Sequence, residues 1–330
     1  MDSAGLQALT SPVVLFFVLG VGAALARSDL SIPESIAKGM SLYLMAAIGL
    51  KGGIEVAESG LGPDVLAALA AGIGAGFLIP LYAFWLLRRF GRLDRLNAGA
   101  VAAHYGSISV VTFVTAVEIY SLQDIPPAGY MVAVMAAMES PAILAGLLLA
   151  RGTGAKDGAA PPTRRSMLHE VLFNASVVLL LGAFAIGWIS GPAGFADVEP
   201  FFGALFKGIL CLFLLDMGLI AARRIMDSRA LTWRLVVIGL ALPLVNGVLG
   251  TLLGAAIGLD TGSTAALGVL CASASYIAVP AAMRLAVPEA DPGIYLTMSL
   301  SITFPFNILF NISLIGALAA AITSQPGIQT

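Results

Sequence analysis

Ala102-Ala103-His104-Tyr105-Gly106-Ser107-Ile108-Ser109-Val110-Val111-Thr112 breaks into an otherwise apolar run with a histidine, a glycine and two serines. A second apolar run is interrupted in the same way by Cys271-Ala272-Ser273-Ala274-Ser275-Tyr276, with Pro280 following, and an offset of 166 carries Ser107 and Ser109 onto Ser273 and Ser275. A helix broken inside a membrane leaves free N–H groups where its second half starts and free carbonyls where its first half ends. The N–H ends attract anions and the carbonyl ends suit small cations. Paired interruptions at corresponding depths therefore point to an ion-binding site between two repeats. The competing reading is that the serines only let helices pack closely.

The rest of the chain supports a membrane setting. Of its 330 residues, 59% are hydrophobic and 11% charged, against roughly a quarter charged in a soluble domain. This composition excludes an ordinary water-soluble enzyme. The apolar runs lack the alternation of a β-barrel, which leaves a helical bundle. Ten spans are expected, near 12–26, 35–57, 64–88, 96–119, 127–150, 168–190, 200–222, 231–257, 263–286 and 293–322. Arg27, the group Arg88, Arg89, Arg92 and Arg95, the group from Arg151 to Arg165, the group from Arg223 to Arg234, and Arg284 all fall on one side. By the positive-inside rule that side is cytoplasmic, giving a multi-pass protein of the cell (inner) membrane with both termini outside. The apolar run from Pro12 to Ala26 has no basic residue before it and reads as a first span, not a cleaved signal. A net charge of −2 gives no case for nucleic-acid binding, and Cys211 and Cys271, both inside spans, suggest neither a disulfide framework nor a thiolate metal site.

Five spans reverse the direction of the chain, so two five-span halves must be inverted with respect to each other. Arg92-Leu93-Asp94 answers Gly258-Leu259-Asp260 at the offset of 166, as Gly52 answers Gly218. The expected organisation is thus a first repeat over 1–150, a cytoplasmic linker over 151–167 and a second, inverted repeat over 168–330. Fourth and ninth helices are broken.

Several intramembrane residues carry possible chemistry. Glu139, in Met138-Glu139-Ser140-Pro141, is a carboxylate at mid-span, which is costly unless paired or bound to a cation. Asn307 and Asn311 in the tenth span offer neutral oxygens at matching depth. With Ser107, Ser109 and Ser275, Glu139 and Asn307 form the expected sodium ligands. Gly106, Ser107, Ile108, Ser109, Ser273, Ala274, Ser275 and Tyr276 form the expected anion site. His104 is either a core histidine bonded to a carbonyl or a neighbour of the site. Lys51 and Asp216 occupy nearly equivalent repeat positions, but at about 1.5 Å per residue they differ by roughly 13 Å in depth. They are candidate substrate contacts rather than partners, with Lys51 reaching outward or towards Glu55 or Glu139.

At Ile48-Gly49-Leu50-Lys51-Gly52-Gly53, His104 to Ser109, Met138-Glu139-Ser140-Pro141-Ala142, and Ala272 to Tyr276 with Pro280-Ala281-Ala282-Met283-Arg284, the chain resembles the sodium-dependent bicarbonate permease family. The resemblance runs in order over nearly the whole chain. It implies ten spans in two inverted repeats, a homotrimer, and cotransport of sodium with bicarbonate bound between the broken helices. Tyr276 stands where cyanobacterial members carry an acidic residue. Their inter-repeat connection is also longer, and they bind a small PII-like regulatory protein. The reading is a secondary transporter, not an enzyme, with sodium as coupling ion and no other cofactor. It moves bicarbonate or a similar small anion; the alternative is a sodium symporter for a small organic acid.

Overall fold

The structure is a computed structural model and describes residues 10–60, 62–151, 175–227 and 231–323. Beyond Arg151 the expected linker, and with it the start of the sixth span, lies outside the described residues. Every regular element among those described is helical. Apart from the four-residue helix Glu199–Phe202, in chain order they are α1 (Pro12–Leu25), α2 (Glu34–Ser59), α3 (Pro63–Arg89), α4 (Arg95–Gly106), α5 (Val110–Leu122), α6 (Met131–Arg151), α7 (Ala175–Ala196), α8 (Phe206–Asp227), α9 (Trp233–Ala256), α10 (Thr261–Ala272), α11 (Ala278–Ala286) and α12, which runs from Pro292 to Thr323. Eight helical stretches are long and apolar enough to cross a membrane, α4 and α5 counting as one. Two shorter apolar helices, α1 and α10, stand where the first span and the first half of the ninth are expected. The chain is a polytopic helical membrane protein.

Two kinds of packing recur. Helix α1 lies against α8, and α2 against α7. Both crossings rest on glycine. A Cβ on Gly20 would collide with the Leu215 carbonyl and one on Gly218 with the Phe17 carbonyl; likewise Gly53 faces the Phe184 carbonyl and Gly187 the Leu50 carbonyl. Small residues at these points bring backbones together where lipid offers no hydrophobic drive for association. The second kind is a pair of three-helix groups, α3 with α4 and α6, and α9 with α10 and α12. Within the first, Gly99 meets the backbone of Ala150 and Gly146 meets Ala103.

Two helices depart from simple spans. Helix α7 kinks at Gly191, where φ is 59° and ψ −167°, just before Pro192. Helix α12 is α-helical only in part, with π-helical stretches over Thr297–Thr303 and Asn307–Asn311 on either side of Phe304-Pro305-Phe306. Such widened turns are frequent at functional sites. Helix α6, in contrast, continues through Pro141.

Gly53→Val is expected to drive α2 from α7. Overpacking costs about 1–3 kcal/mol even in cores that can adjust, and a backbone carbonyl cannot rotate away as a side chain does. A clear fall in the thermal unfolding midpoint in detergent, or loss of the monodisperse species, checks this; a wild-type midpoint would contradict the crossing.

Candidate functional site

The two broken helices are built alike. Asp94 caps α4, its Oδ1 accepting from the Asn97 N–H at 3.0 Å. Asp260 caps α10, its Oδ1 accepting from the Ser263 N–H at 2.9 Å. Each helix runs for 12 residues. Each then ends on an extended serine, Ser107 with φ −84° and ψ 172° and Ser273 with φ −79° and ψ 163°. Ser109 caps the restart at α5 by accepting from the Thr112 N–H at 3.2 Å, and Ser275 accepts from the Val279 N–H of α11 at 3.4 Å. Side-chain oxygens of this kind meet one of the orphan donors of a helix start.

The breaks also hold each other. The Ser109 N–H donates to Ser273 Oγ at 3.0 Å, and that hydroxyl donates to the Leu270 carbonyl at 2.9 Å. In return the Ser275 N–H donates to the His104 carbonyl at 2.9 Å. Asn307 braces the end of α10, its Nδ2 donating to the Ala272 carbonyl at 2.9 Å while its Oδ1 accepts from Asn311 Nδ2 at 2.9 Å. On the other side Tyr105 donates to Thr303 Oγ1 at 2.7 Å, and Thr303 donates to the Gly239 carbonyl at 2.8 Å.

Where the two half-helix starts face each other there is a cavity of about 10 Å³. A space of this size holds about one water-sized occupant. Ser109 and Val110 line it from the start of α5, Ser275 to Ala278 from the start of α11, and Glu139 from α6, with Met45 of α2 closing one side. Glu139 is 2% exposed, and its Oε1 has no hydrogen-bond partner. Two positive helix ends and one carboxylate thus share a single small space, an arrangement suited to a cation and an anion together.

Of the residues expected at the site, the structure brings together Ile108, Ser109, Ser275, Tyr276 and Glu139. Ser107, Ser273 and Ala274 are buried just behind, with Ser107 Oγ unpartnered, while Gly106 presses on Pro80 of α3. His104 is fully buried behind the break, its Nδ1–H donating to the Ala100 carbonyl at 2.7 Å and its ring stacked on Tyr295 at 4.7 Å. Both functions of the Asn307 amide are engaged in the brace. Lys51 sits elsewhere, its Nζ 4.4 Å from the centre of the Phe206 ring with Glu118, Lys207 and Glu55 as charged neighbours. Asp216 is buried on α8 and does not line the cavity. Sequence reasoning missed Met45, which has no polar signal, and the Tyr105–Thr303 bond between α4 and α12.

Asn307→Leu removes the donor from the Ala272 carbonyl and the acceptor from Asn311. A buried polar group left unmet costs about 1–3 kcal/mol, so the unfolding midpoint in detergent should fall. Ser107→Ala deletes a hydroxyl that bonds nothing and should leave it unchanged. Equal midpoints for the two variants would remove the brace.

A search among curated proteins returns no match. A family model described as the Na+-dependent bicarbonate transporter superfamily matches residues 12–320, which takes in every described helix except the last turn of α12. That coverage includes both broken helices and Glu139, and it makes the protein a membrane transporter rather than an enzyme. The chain belongs to the Na+-dependent bicarbonate transporter superfamily.

Proposed function

We propose that the chain couples inward movement of sodium to uptake of bicarbonate through ten spans arranged as two inverted five-helix repeats, with both termini outside. The observation that carries the reading is the shared cavity, in which the starts of α5 and α11 face the Glu139 carboxylate. Bicarbonate lies between the half-helix starts, near Ser109, Ser275 and Tyr276. Sodium lies against Glu139 and the serine hydroxyls, and Asn307 keeps the end of α10 in place. Binding both ions spares each from crossing a low-dielectric core alone. The inverted arrangement draws support from pairings that interchange when one half is laid on the other: α1 with α8 becomes α7 with α2, and α3 with α4 becomes α9 with α10. The size of the cavity favours a small ion. Four heavy atoms already require the half-helices to part, and an organic acid requires more. Alternating access then moves the two three-helix groups against the pairs α1–α8 and α2–α7.

In proteoliposomes with an imposed sodium gradient, labelled bicarbonate should accumulate only when sodium is outside. Ser275→Leu, which fills the space between the helix starts, should abolish uptake in a protein that still inserts and folds. Glu139→Gln keeps the volume and one carbonyl oxygen but removes the charge. The sodium concentration for half-maximal uptake should rise about tenfold, equivalent to about 1.4 kcal/mol of binding, and bicarbonate affinity should weaken with it through coupling. An unchanged sodium dependence would assign Glu139 to helix packing.

A further inference from the structure

Helix α5 runs from the cavity to the outer face of the proposed transporter. Ser109, Thr112, Thr115 and Glu118 follow one another along it at intervals of three. Residues so spaced are neighbours on a helix surface about 5–6 Å apart, along a ridge that winds gently around the axis. At about 1.5 Å per residue the ridge climbs roughly 13 Å from Ser109 to Glu118. All three residues beyond Ser109 are buried, Thr112 to 1%, Thr115 to 0% and Glu118 to 8% exposure.

Two hydroxyls on this ridge, like those of Ser107 and Ser301, lack a partner. Thr251 returns its hydroxyl to the Gly247 carbonyl, Ser299 to Tyr295 and Ser121 to Val117, the usual local solution for a hydroxyl in an apolar helix. Thr112 Oγ1 and Thr115 Oγ1 are buried and bond nothing. At the top of the ridge, the largely buried Glu118 carboxylate meets the exposed ammonium of Lys207 at 2.6 Å. Lys207 belongs to α8, one of the paired helices. The inverted counterpart of the ridge differs in kind: the offset of 166 carries Thr112, Thr115 and Glu118 onto Ala278, Ala281 and Arg284. The sequence thus puts two threonines and a glutamate on the outer half-helix where the inner one has alanines and an arginine.

We propose that this ridge is a cation-access site for a monovalent ion. Sodium displaces Lys207 at Glu118, passes the hydroxyls of Thr115 and Thr112, and reaches Ser109 and Glu139. Lys207 closes the path when no ion is present, and the alanines and Arg284 of α11 keep the inner side from offering the same path. The inference rests on the proposed function for the identity of the ion and the direction of its movement.

Two measurements separate its failure from a failure of that reading. In right-side-out vesicles, Thr115→Val should raise the external sodium needed for half-maximal bicarbonate uptake by roughly fivefold or more, and Lys207→Gln should lower it. The bicarbonate dependence at saturating sodium should stay that of the wild type. Wild-type sodium dependence in both variants would overturn the path, whereas absence of sodium-driven uptake in the unsubstituted protein would overturn the proposed function instead. The second measurement needs no uptake. Thr115→Cys, combined with Cys211→Ser and Lys207→Gln, should react from outside with a cationic methanethiosulfonate at least about tenfold faster than with an anionic one, because the Glu118 carboxylate freed of Lys207 draws cations to the mouth. Sodium should slow that reaction. Equal rates, or no reaction with either reagent, would overturn the path.

Discussion

Inside a lipid bilayer every backbone donor and acceptor has to find its partner within the protein. This molecule breaks two helices there and then repairs the damage from across the break. Neither interruption is self-sufficient. The first takes Ser273 as acceptor for the Ser109 N–H, and the second takes the His104 carbonyl as acceptor for the Ser275 N–H. Asn307 supplies the donor that the end of α10 lacks. The remaining architecture, with Asp94 and Asp260 fixing where each broken helix starts, holds these few bonds in register. Among the buried polar atoms left without a partner, Glu139 Oε1 and Ser107 Oγ lie beside them. Unmet polar groups beside the two breaks support the ion site proposed there.

Much of this was legible in the sequence because the signals were chemical and periodic. The apolar runs gave the spans, and Asp94 and Asp260 at the offset of 166 are the two N-caps in the structure. Ser107, Ser109 and Ser273 mark the helix ends at the breaks to the residue, while the cap of the second restart, Ile277, comes two residues after Ser275. Other features had no such signal. The π-helical stretches of α12 follow no recognisable residue pattern. Asn307 looked like an oxygen donor, and only the fold shows its nitrogen committed to a carbonyl and its oxygen to Asn311. Lys51 and Asp216 drew notice as rare intramembrane charges, yet neither reaches the cavity. Glu118 stands one residue from the expected end of its span, and its contact with Lys207 of α8, far away in sequence, has no signal in the local pattern.

The two glycine crossings, α1 with α8 and α2 with α7, each join one half of the chain to the other. The three-helix groups, in contrast, are each drawn from one half. A unit composed of both halves therefore faces two units that are each local in sequence. Relative movement between them needs no change inside any of the three. Such a division suits a transporter, since rigid bodies that slide keep their internal bonds while the contacts between them change.

The reciprocal clasp also bears on how the chain is made. Ser109 waits for Ser273, and the end of α10 waits for Asn307, so a ribosome delivering residues in order inserts the first break long before its acceptor exists. During that interval the loose turn at Ser107 to Ser109 has no partner from the second half, and the translocon or a folding factor has to shield it from the lipid. The polar centre is for this reason among the last parts of the protein to form, and its completion marks the end of biogenesis rather than its beginning.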